Sequence, residues 1–346
     1  MKTKTFVIRK PDDWHVHLRW TDDGMLQLVL PFTAGYFSRA LVMPNLTEQG
    51  MVLNAGHVDL YRRMIEIELE ASGISDFQPL MTVRIIPKTT PEVIREAKKA
   101  GVIAGKLYPD GVTTGSEGGV RDFKALYPLF AFMQELDLIL SIHCELPGAA
   151  PLKAEQEFIP ILIDLVSNFP RLRIVVEHVS SKAMLSYLQT TPKTVGATIT
   201  AHHLVLTHEE VYCGGQIAWP HNYCKPVAKT QSDQIALVQA ATSGNPRFWF
   251  GSDTAPHKKK KKESIPPAAG VFSAPVALSV LAQVFADAGV LNRLEDFTSR
   301  FGAEFYRLPF NTGTLTLSQK RWVVPKKSGQ VVPFLAGQQL AWQIAG

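Results

Sequence analysis

The sequence predicts an α/β fold, a (β/α)8 TIM barrel, on three grounds. Short apolar strand segments alternate with helical segments, there are eight such strands, and no Gly-x-Gly-x-x-Gly motif follows the first strand. Regular alternation of strands and helices indicates a parallel sheet with helices around it, and eight repeats are typical of the barrel. The alternative is a doubly wound open sheet, which the missing glycine motif disfavours.

The predicted strands lie at residues 6–8 continuing to 14–18, then 39–43, 79–84, 102–107, 138–143, 173–178, 195–200 and 247–252. The predicted helices lie at 60–69, 91–99, 122–136, 155–166 and 232–241. Thr90-Pro91-Glu92 is typical of a helix start, because proline suits the first helical position. We find no linker or internal repeat. We therefore expect one domain over residues 1–346, with 315–346 as a C-terminal extension packed on the barrel.

Composition narrows the class of protein further. The chain has 346 residues and is 46% hydrophobic, which is enough for a large core. It has no uninterrupted apolar run of about 18 residues, the length expected of a transmembrane helix, and residues 1–6 lack the apolar core of a signal peptide. Its three cysteines form no Cys-x-x-Cys pattern, which fits a reducing compartment. We expect a cytoplasmic protein without a membrane partner.

The positive charge is concentrated in one segment. The net charge is +5, and Lys258 to Lys262 supply five positive charges, so the rest of the chain is neutral. A nucleic-acid-binding protein usually spreads basic residues along a face, so we expect no nucleic-acid partner. We expect the lysine run to be a solvated loop. The alternative is that it attracts an anionic substrate.

His15 and His17 are two residues apart on the first barrel strand. Side chains at i and i+2 of a strand point to the same face, so both imidazoles can bind one ion such as zinc. Active sites of this barrel lie at the C-terminal ends of the strands. Other polar residues stand at those ends: Asn45, Lys106, His143, His178 and Asp253. Four histidines and an aspartate there predict a metal centre, with enough ligands for two ions if another group bridges them.

Lys106 is the unusual member of this set. An ammonium group beside two cations is strongly disfavoured, and an isolated lysine after a strand is usually exposed. We therefore expect Lys106 to be neutralised or converted to an anion.

These motifs resemble those of the dihydroorotases of the amidohydrolase superfamily, specifically the short bacterial-type class. The resemblance covers nearly the whole chain and rests on segments 11–19 (PDDWHVHLR), 42–45 (VMPN), 106–109 (KLYP), 176–178 (VEH), 251–257 (GSDTAPH) and 332–337 (VPFLAG). It implies an amidohydrolase-like barrel and a homodimer. It also implies two zinc ions per subunit, bridged by a hydroxide and by N6-carboxylated Lys106.

The resemblance implies a role for each candidate residue. His15, His17 and Asp253 would complete one metal site, and His143 and His178 the other. Asp253 would also be the catalytic base. The small-molecule substrate would be contacted by Arg19, Asn45 and His257 at its α-carboxylate, and by Thr113, Thr114 and the backbone near Ala269-Gly270 elsewhere. The implied reaction is the reversible cyclisation of N-carbamoyl-L-aspartate to L-dihydroorotate, a step of pyrimidine biosynthesis.

The residues themselves support part of this assignment. Arg19 lies two residues after His17, so its guanidinium can point into the same mouth, and its planar fork suits a carboxylate. The loop at residues 110–119 is rich in glycine and hydroxyl groups. A surface loop of this kind is flexible by default, and the resemblance implies that it closes over substrate.

Several features depart from the family pattern or have no role. Lys225 replaces an apolar residue, and the loop at residues 20–24 is two residues longer than usual. We expect neither His202 nor His203 to bind metal directly, and we expect Cys144 to pack in the core. Two alternatives stay open: another amidohydrolase, such as a hydantoinase-like cyclic amidase or a deaminase, and a non-catalytic scaffold.

Overall fold

The computed structural model describes residues 4–22, 24–45 and 51–345. The strands, numbered along the chain, are β1 (Thr5–Arg9), β2 (Asp12–Val16), β3 (Arg39–Val42), β4 (Gln78–Ile85), β5 (Ala104–Leu107), β6 (Ile139–Ile142), β7 (Ile174–Val176), β8 (Val195–Ile199), β9 (Tyr212–Cys213), β10 (Gln216–Ile217), β11 (Phe248–Phe250), β12 (Thr314–Ser318), β13 (Trp322–Val323), β14 (Gln339–Leu340) and β15 (Gln343–Ile344).

The α-helices are α1 (Met25–Ala34), α2 (Ala55–Ala71), α3 (Pro91–Lys99), α4 (Tyr127–Glu135), α5 (Ala154–Asn168), α6 (Lys182–Leu188), α7 (Gln231–Thr242), α8 (Lys259–Lys262), α9 (Ala277–Asp287) and α10 (Phe301–Tyr306). Short 3₁₀ segments lie at Lys124–Leu126, His208–Glu210, Pro220–Asn222 and Leu291–Arg293, and a π-helical segment at Asp296–Arg300. None of the helices in the described residues has the length and apolar character needed to cross a membrane.

The predicted barrel is confirmed. Within the described residues, eight parallel strands form one sheet in the order β2-β3-β4-β5-β6-β7-β8-β11. Side-chain and bridge contacts join the two ends of this sheet, because the Ser252 amide donates to Asp13 Oδ1 at 2.7 Å and Val16 pairs in parallel with Thr254. The carboxyl ends of the strands therefore face one common mouth.

One strand prediction is wrong. We expected the segment at residues 6–8 to continue into the first barrel strand, but the two are separate elements. Pro11 lies between them and has no amide hydrogen for a ladder. As a result β1 leaves the barrel and pairs antiparallel with β12, which also pairs with β15. The C-terminal segment contacts the barrel elsewhere too, since the Phe334 amide donates to the Phe272 carbonyl at 2.8 Å.

The predicted helices are present with adjusted bounds. Thr90 caps α3 by accepting a hydrogen bond from the Val93 amide, and Pro91 begins the helix, as the sequence predicts. The segment predicted at 122–136 is shorter: a 3₁₀ turn comes first, and α4 begins at Tyr127.

Aromatic residues close the amino-terminal end of the barrel. Trp14 on β2 stacks on Tyr306 of α10 with ring centroids 4.2 Å apart. A Cβ atom at Gly302 would lie 2.0 Å from Trp14 Nε1, so only glycine permits this close approach. Arg39 and Asp12 form a buried pair at the same end, with Nε–Oδ1 and Nη2–Oδ2 distances of 2.8 and 2.6 Å.

Candidate metal centre and substrate pocket

Three predicted ligands converge at the open end of the barrel. His15 is on β2, His17 follows this strand, and Asp253 follows β11. The Nε2 atoms of the two histidines are 3.3 Å apart, and Asp253 Oδ1 is 3.4 Å from the first and 3.2 Å from the second. Two ligand atoms at about 2.1 Å from a tetrahedral ion are about 3.4 Å from each other. This triangle therefore fits a zinc ion.

Glu177 orients His15. Its Oε2 atom is 2.8 Å from His15 Nδ1 and accepts a hydrogen bond from the Thr198 hydroxyl at 2.7 Å. Because the carboxylate engages Nδ1, His15 presents Nε2 to the triangle. A carboxylate behind a metal-binding imidazole is a frequent arrangement. We assigned no role to Glu177 from the sequence, since its contact with β2 depends on the barrel geometry.

His143 and His178 lie beside the triangle. Their ring centroids are 4.6 Å apart, and that of His178 is 5.0 Å from that of His15. Glu145 Oε2 is 2.7 Å from His143 Nε2, so Nδ1 is the nitrogen left for a metal. His178 Nδ1 is buried without a hydrogen-bond partner in the described part of the chain. Burial lowers the pKa of both imidazoles, so both are neutral at neutral pH.

Lys106 lies on β5 with no solvent exposure, and its Nζ atom has no hydrogen-bond partner among the described residues. Nζ is 5.0 Å from the centroid of the Tyr108 ring. Burial lowers the pKa of this amine, because an ammonium group is expensive to remove from water. The positive charge of Lys106 would in turn lower the pKa of His143 and His178. The centroid of the Tyr108 ring is also 6.3 Å from that of His143, so Tyr108 lies beside both Lys106 and His143.

Arg19 occupies the same mouth. It is only 6% exposed, and its two contacts are long: Nη1 to the Asn45 carbonyl and Nη2 to His257 Nε2, both at 3.4 Å. The Nε atom has no partner in the described part of the chain. Burial lowers the pKa of the guanidinium. A buried guanidinium with such weak contacts is suited to an anionic ligand.

Asn45 and His257 are both fixed by neighbours. The Tyr108 hydroxyl donates to Asn45 Oδ1 at 2.8 Å, and this contact was not predicted. His257 Nε2 is 2.9 Å from the Ala269 carbonyl. Burial, with help from the Arg19 charge, lowers the pKa of His257 to about 2, so the ring is neutral.

Two adjoining cavities connect these groups. The outer one has a volume of about 310 Å³ and is lined by residues including Arg84 and His257. The inner one is smaller and holds all four metal-candidate histidines and Asp253, with Thr113, Ala269, Gly270 and Lys225 in its wall. Arg19, Asn45 and Thr114 line both cavities.

The loop at residues 110–119 lies against this pocket. Its Thr114 hydroxyl is 3.4 Å from the Ala269 carbonyl, and its Thr114 carbonyl accepts from Asn45 Nδ2 at 3.2 Å. Arg84 was not predicted to take part, yet it donates to the Gly115 and Glu117 carbonyls at 2.8 and 2.9 Å. The longer loop expected at residues 20–24 includes position 23, which lies outside the described residues.

His202, His203 and Cys224 form a second buried cluster with ligand atoms close together. Both nitrogens of His203 are engaged, one by Thr200 Oγ1 at 2.9 Å and one by the Pro226 carbonyl at 3.0 Å. A nitrogen that faces a carbonyl carries a hydrogen and cannot bind a metal. Both ring nitrogens of His203 are thus engaged by the protein, and the expectation that neither His202 nor His203 binds metal directly stays a prediction.

The expectation of a solvated lysine loop at Lys258 to Lys262 is wrong in part. Residues 259–262 form the short helix α8, and Lys262 is only 3% exposed. The three carbonyl oxygens that Lys262 contacts belong to Tyr223, Ala268 and Gly270, which lie outside the lysine run, so the run of identical residues did not reveal this contact.

Backbone strain is concentrated at the pocket. Arg19, His178 and Asp253 have φ values of 55°, 41° and 43°, and they are three of the six non-glycine residues with positive φ in the described ranges. Such conformations cost about 1–3 kcal/mol each and persist where function requires them.

Comparison with known proteins defines the class of this chain. A family model described as amidohydrolase matches residues 13–257, which is more than half of the chain. The chain therefore belongs to the amidohydrolases.

Relatives define the family within that class. A dihydroorotase of Coxiella burnetii is 43% identical over 99% of this chain and 98% of its own length. A dihydroorotase of Saccharomyces cerevisiae, solved in complex with 5-fluoroorotic acid, is 35% identical with a TM-score of 0.89 over 99% of this chain and 98% of that one. A dihydroorotase of Campylobacter jejuni is 36% identical with a TM-score of 0.86, over 99% and 97%. The chain belongs to the dihydroorotases, which are cyclic amide hydrolases.

Proposed function

We propose that this chain catalyses the reversible cyclisation of N-carbamoyl-L-aspartate to L-dihydroorotate in pyrimidine biosynthesis. The position of Arg19 carries the proposal. In the described part of the chain, the hydrogen bonds of its buried guanidinium are long, at 3.4 Å to the Asn45 carbonyl and to His257 Nε2, and Arg19 lines the cavity that also holds the candidate metal ligands. A substrate with a carboxylate beside a cyclic amide satisfies both features. An uncharged hydantoin would offer the guanidinium no carboxylate to bind.

The metal centre is part of the proposal. His15, His17 and Asp253 would hold one zinc ion, and His143 and His178 the second. The triangle of donor atoms matches the spacing of tetrahedral ligands. When bound, the two ions would supply an activated water and polarise the amide carbonyl.

We propose that Lys106 is carboxylated and joins the two metal positions. Only a neutral amine has the lone pair needed to react with carbon dioxide, and burial favours this form of Lys106. The nitrogen would bond to the carbon of CO2 and release one proton to solvent. The resulting carbamate anion would offer two oxygen ligands in place of an Nζ atom that has no partner in the described part of the chain. Two observations support this role: Lys106 is completely buried, and it lies beside Tyr108, whose ring centroid is 6.3 Å from that of His143.

Asp253 would move the proton. Its Oδ1 faces His15 and His17, so Oδ2 is the oxygen available to a substrate. In hydrolysis this carboxylate would carry a proton to the ring nitrogen, and in cyclisation it would take one from the ureido nitrogen. Arg19, Asn45 and His257 would hold the α-carboxylate while this occurs. Thr113 and Thr114, with the Ala269 backbone, would close around the ring.

We also propose a homodimer in the cytoplasm. The family resemblance supports the dimer, and three unpaired cysteines support a reducing compartment. Sedimentation of the purified protein at several concentrations tests the dimer, and a monomer at all of them would contradict it.

The decisive experiment compares two cyclic amides, L-dihydroorotate and hydantoin, as substrates of one zinc-loaded preparation. We expect ring opening of L-dihydroorotate, and its formation from N-carbamoyl-L-aspartate, with little turnover of hydantoin. Turnover of hydantoin alone would indicate another amidohydrolase. Correctly folded protein with neither activity nor bound metal would indicate a scaffold.

A further inference from the structure

Lys262 differs from the four lysines before it. Lys259, Lys260 and Lys261 are exposed, whereas Lys262 is 3% exposed and turns inward from α8. Lysine is almost never this deeply buried unless its charge is paired or fully hydrogen-bonded. The side chain therefore needs a specific reason to lie there.

Three backbone carbonyls surround its Nζ atom. The distances are 2.8 Å to Tyr223, 2.9 Å to Ala268 and 2.6 Å to Gly270. The protonated amine has three donors, so these acceptors satisfy all of them. Burial lowers the pKa of Lys262 to about 7, so this protonated form and the neutral amine are both populated near neutral pH. Hydrogen bonds that involve a charged group are stronger than neutral ones. Lys262 thus ties residue 223 to the segment 268–270.

Both joined segments form the wall of the inner cavity. Tyr223 is two residues before Lys225, and Ala269 and Gly270 line the cavity directly. The Gly270 amide donates to the Tyr223 carbonyl at 2.9 Å, which links the segments a second time. A Cβ atom at Gly270 would lie 2.3 Å from the Ala255 carbonyl oxygen, so residue 270 packs tightly against residue 255 on the other side of this wall.

The wall in turn fixes a substrate-binding side chain. Ala269, whose two neighbours Ala268 and Gly270 are both held by Lys262, presents its carbonyl to His257 Nε2 at 2.9 Å. The same carbonyl is 3.4 Å from the Thr114 hydroxyl of the loop. His257 is 3.4 Å from Arg19. A continuous chain of contacts therefore runs from Lys262 to the proposed carboxylate site.

We propose that Lys262 is a positioning residue: its ammonium group holds the segment 268–270 so that Ala269 and His257 are set for the substrate carboxylate. The substrate in this inference rests on the proposed function. The three hydrogen bonds of Lys262, called the Lys262 clamp below, do not depend on it. Lys262 touches no candidate metal ligand in the described residues, so its effect falls on substrate binding rather than on metal binding.

The test compares Lys262→Met with Lys260→Met, each as the full zinc-loaded enzyme. Methionine fills similar space without the three donors, and the control removes an exposed charge from the same helix. We expect Lys262→Met to raise KM for dihydroorotate about tenfold, as loss of a charge-assisted bond in the wall predicts. We expect kcat to change less than about threefold, with unchanged zinc content. The control should match the parent.

Hydrogen exchange gives a reading that needs no activity. The Gly270 amide faces the Tyr223 carbonyl, and the Ala268 amide faces the Lys261 carbonyl. Peptides covering 264–272 should exchange faster in Lys262→Met than in the control. Lys262→Arg keeps a charged donor and should lie closer to the parent in both KM and exchange; it also serves if the methionine variant does not fold.

The outcomes separate the two proposals. A parent enzyme without dihydroorotase activity would contradict the proposed function, while exchange would still test the Lys262 clamp. Exchange and KM equal to the control would overturn the role of Lys262. Loss of zinc together with kcat would also overturn it, because the residue would then support the metal centre.

Discussion

The two ends of the barrel bury charged side chains in opposite ways. At the amino-terminal end, Arg39 and Asp12 share two short hydrogen bonds, and Asn311 Nδ2 donates a third to Asp12 at 2.8 Å. At the open end, Lys106 Nζ and Arg19 Nε have no partner among the described residues. Trp14 Nε1 at the closed end is also unpartnered, but it is neutral and costs less to bury.

This difference distinguishes buried charges that stabilise the fold from buried groups that bind a ligand. When one partner of a buried ion pair is removed, the other is left as an uncompensated buried charge, which destabilises the fold. An unpaired buried charge or amine is destabilising by itself, so its retention at one end of the barrel indicates a ligand that satisfies it. The same residue types therefore have opposite expected effects at the two ends when they are removed.

The largest expected effect is at the open end. Lys106→Ala should lower kcat/KM by about 10³-fold or more, since metal ions contribute several kcal/mol to such reactions, and zinc should be lost with it. In Lys106→Met, which removes the unsatisfied amine but keeps most of the buried volume, the free energy of unfolding of the metal-free protein should not fall. Zinc analysis, kinetics and urea unfolding measure these results.

Small carboxylic acids extend the Lys106 experiment. Added formate or acetate should restore part of the zinc and activity by replacing the carbamate. Full activity in the unsupplemented variant would contradict the bridging role.

The second effect is at the closed end. Arg39→Met should lower the free energy of unfolding by about 3–5 kcal/mol, because Asp12 is left as an uncompensated buried carboxylate. Zinc content should stay near the parent value while the protein is folded. Urea unfolding measures the change, and Arg63→Met, in an exposed ion pair, is the control that should change little. Equal stability of the two variants would remove the contrast between the ends.

The third effect returns to the pocket. Arg19→Met should raise KM for dihydroorotate by about 10- to 100-fold, the loss expected for a charged hydrogen bond to a carboxylate. Zinc content should not change. Steady-state kinetics with parallel zinc analysis measures both, and loss of zinc would show that Arg19 supports the metal centre.

The smallest expected effect is at Cys144, and it tests whether this residue belongs to the candidate metal centre. Cys144 follows His143 directly but is buried within the hydrophobic core, as expected from the sequence. Cys144→Ala should lower the free energy of unfolding by about 1 kcal/mol with activity and zinc content unchanged. A fall in zinc content would place Cys144 in the metal centre.

The sequence predicted those features that depend on spacing along one strand. The His15/His17 pair and the polar residues at strand ends follow from the period of two and the polarity of the barrel, and the barrel itself is confirmed. The roles of Glu177, Tyr108 and Lys262 depend on neighbours from other strands and loops, which periodicity does not reveal. The division between β1 and β2 was missed because apolar residues lie on both sides of Pro11.

At His178, one backbone angle allows two successive residues after a strand to face the same site. Neighbouring strand residues normally project to opposite faces, yet Glu177 reaches His15 while His178 lies beside His143. The left-handed turn at residue 178, with φ of 41°, ends the alternation at this point. Two successive side chains thereby face the same candidate metal centre, Glu177 behind His15 and His178 beside His143, without any additional strand in the barrel.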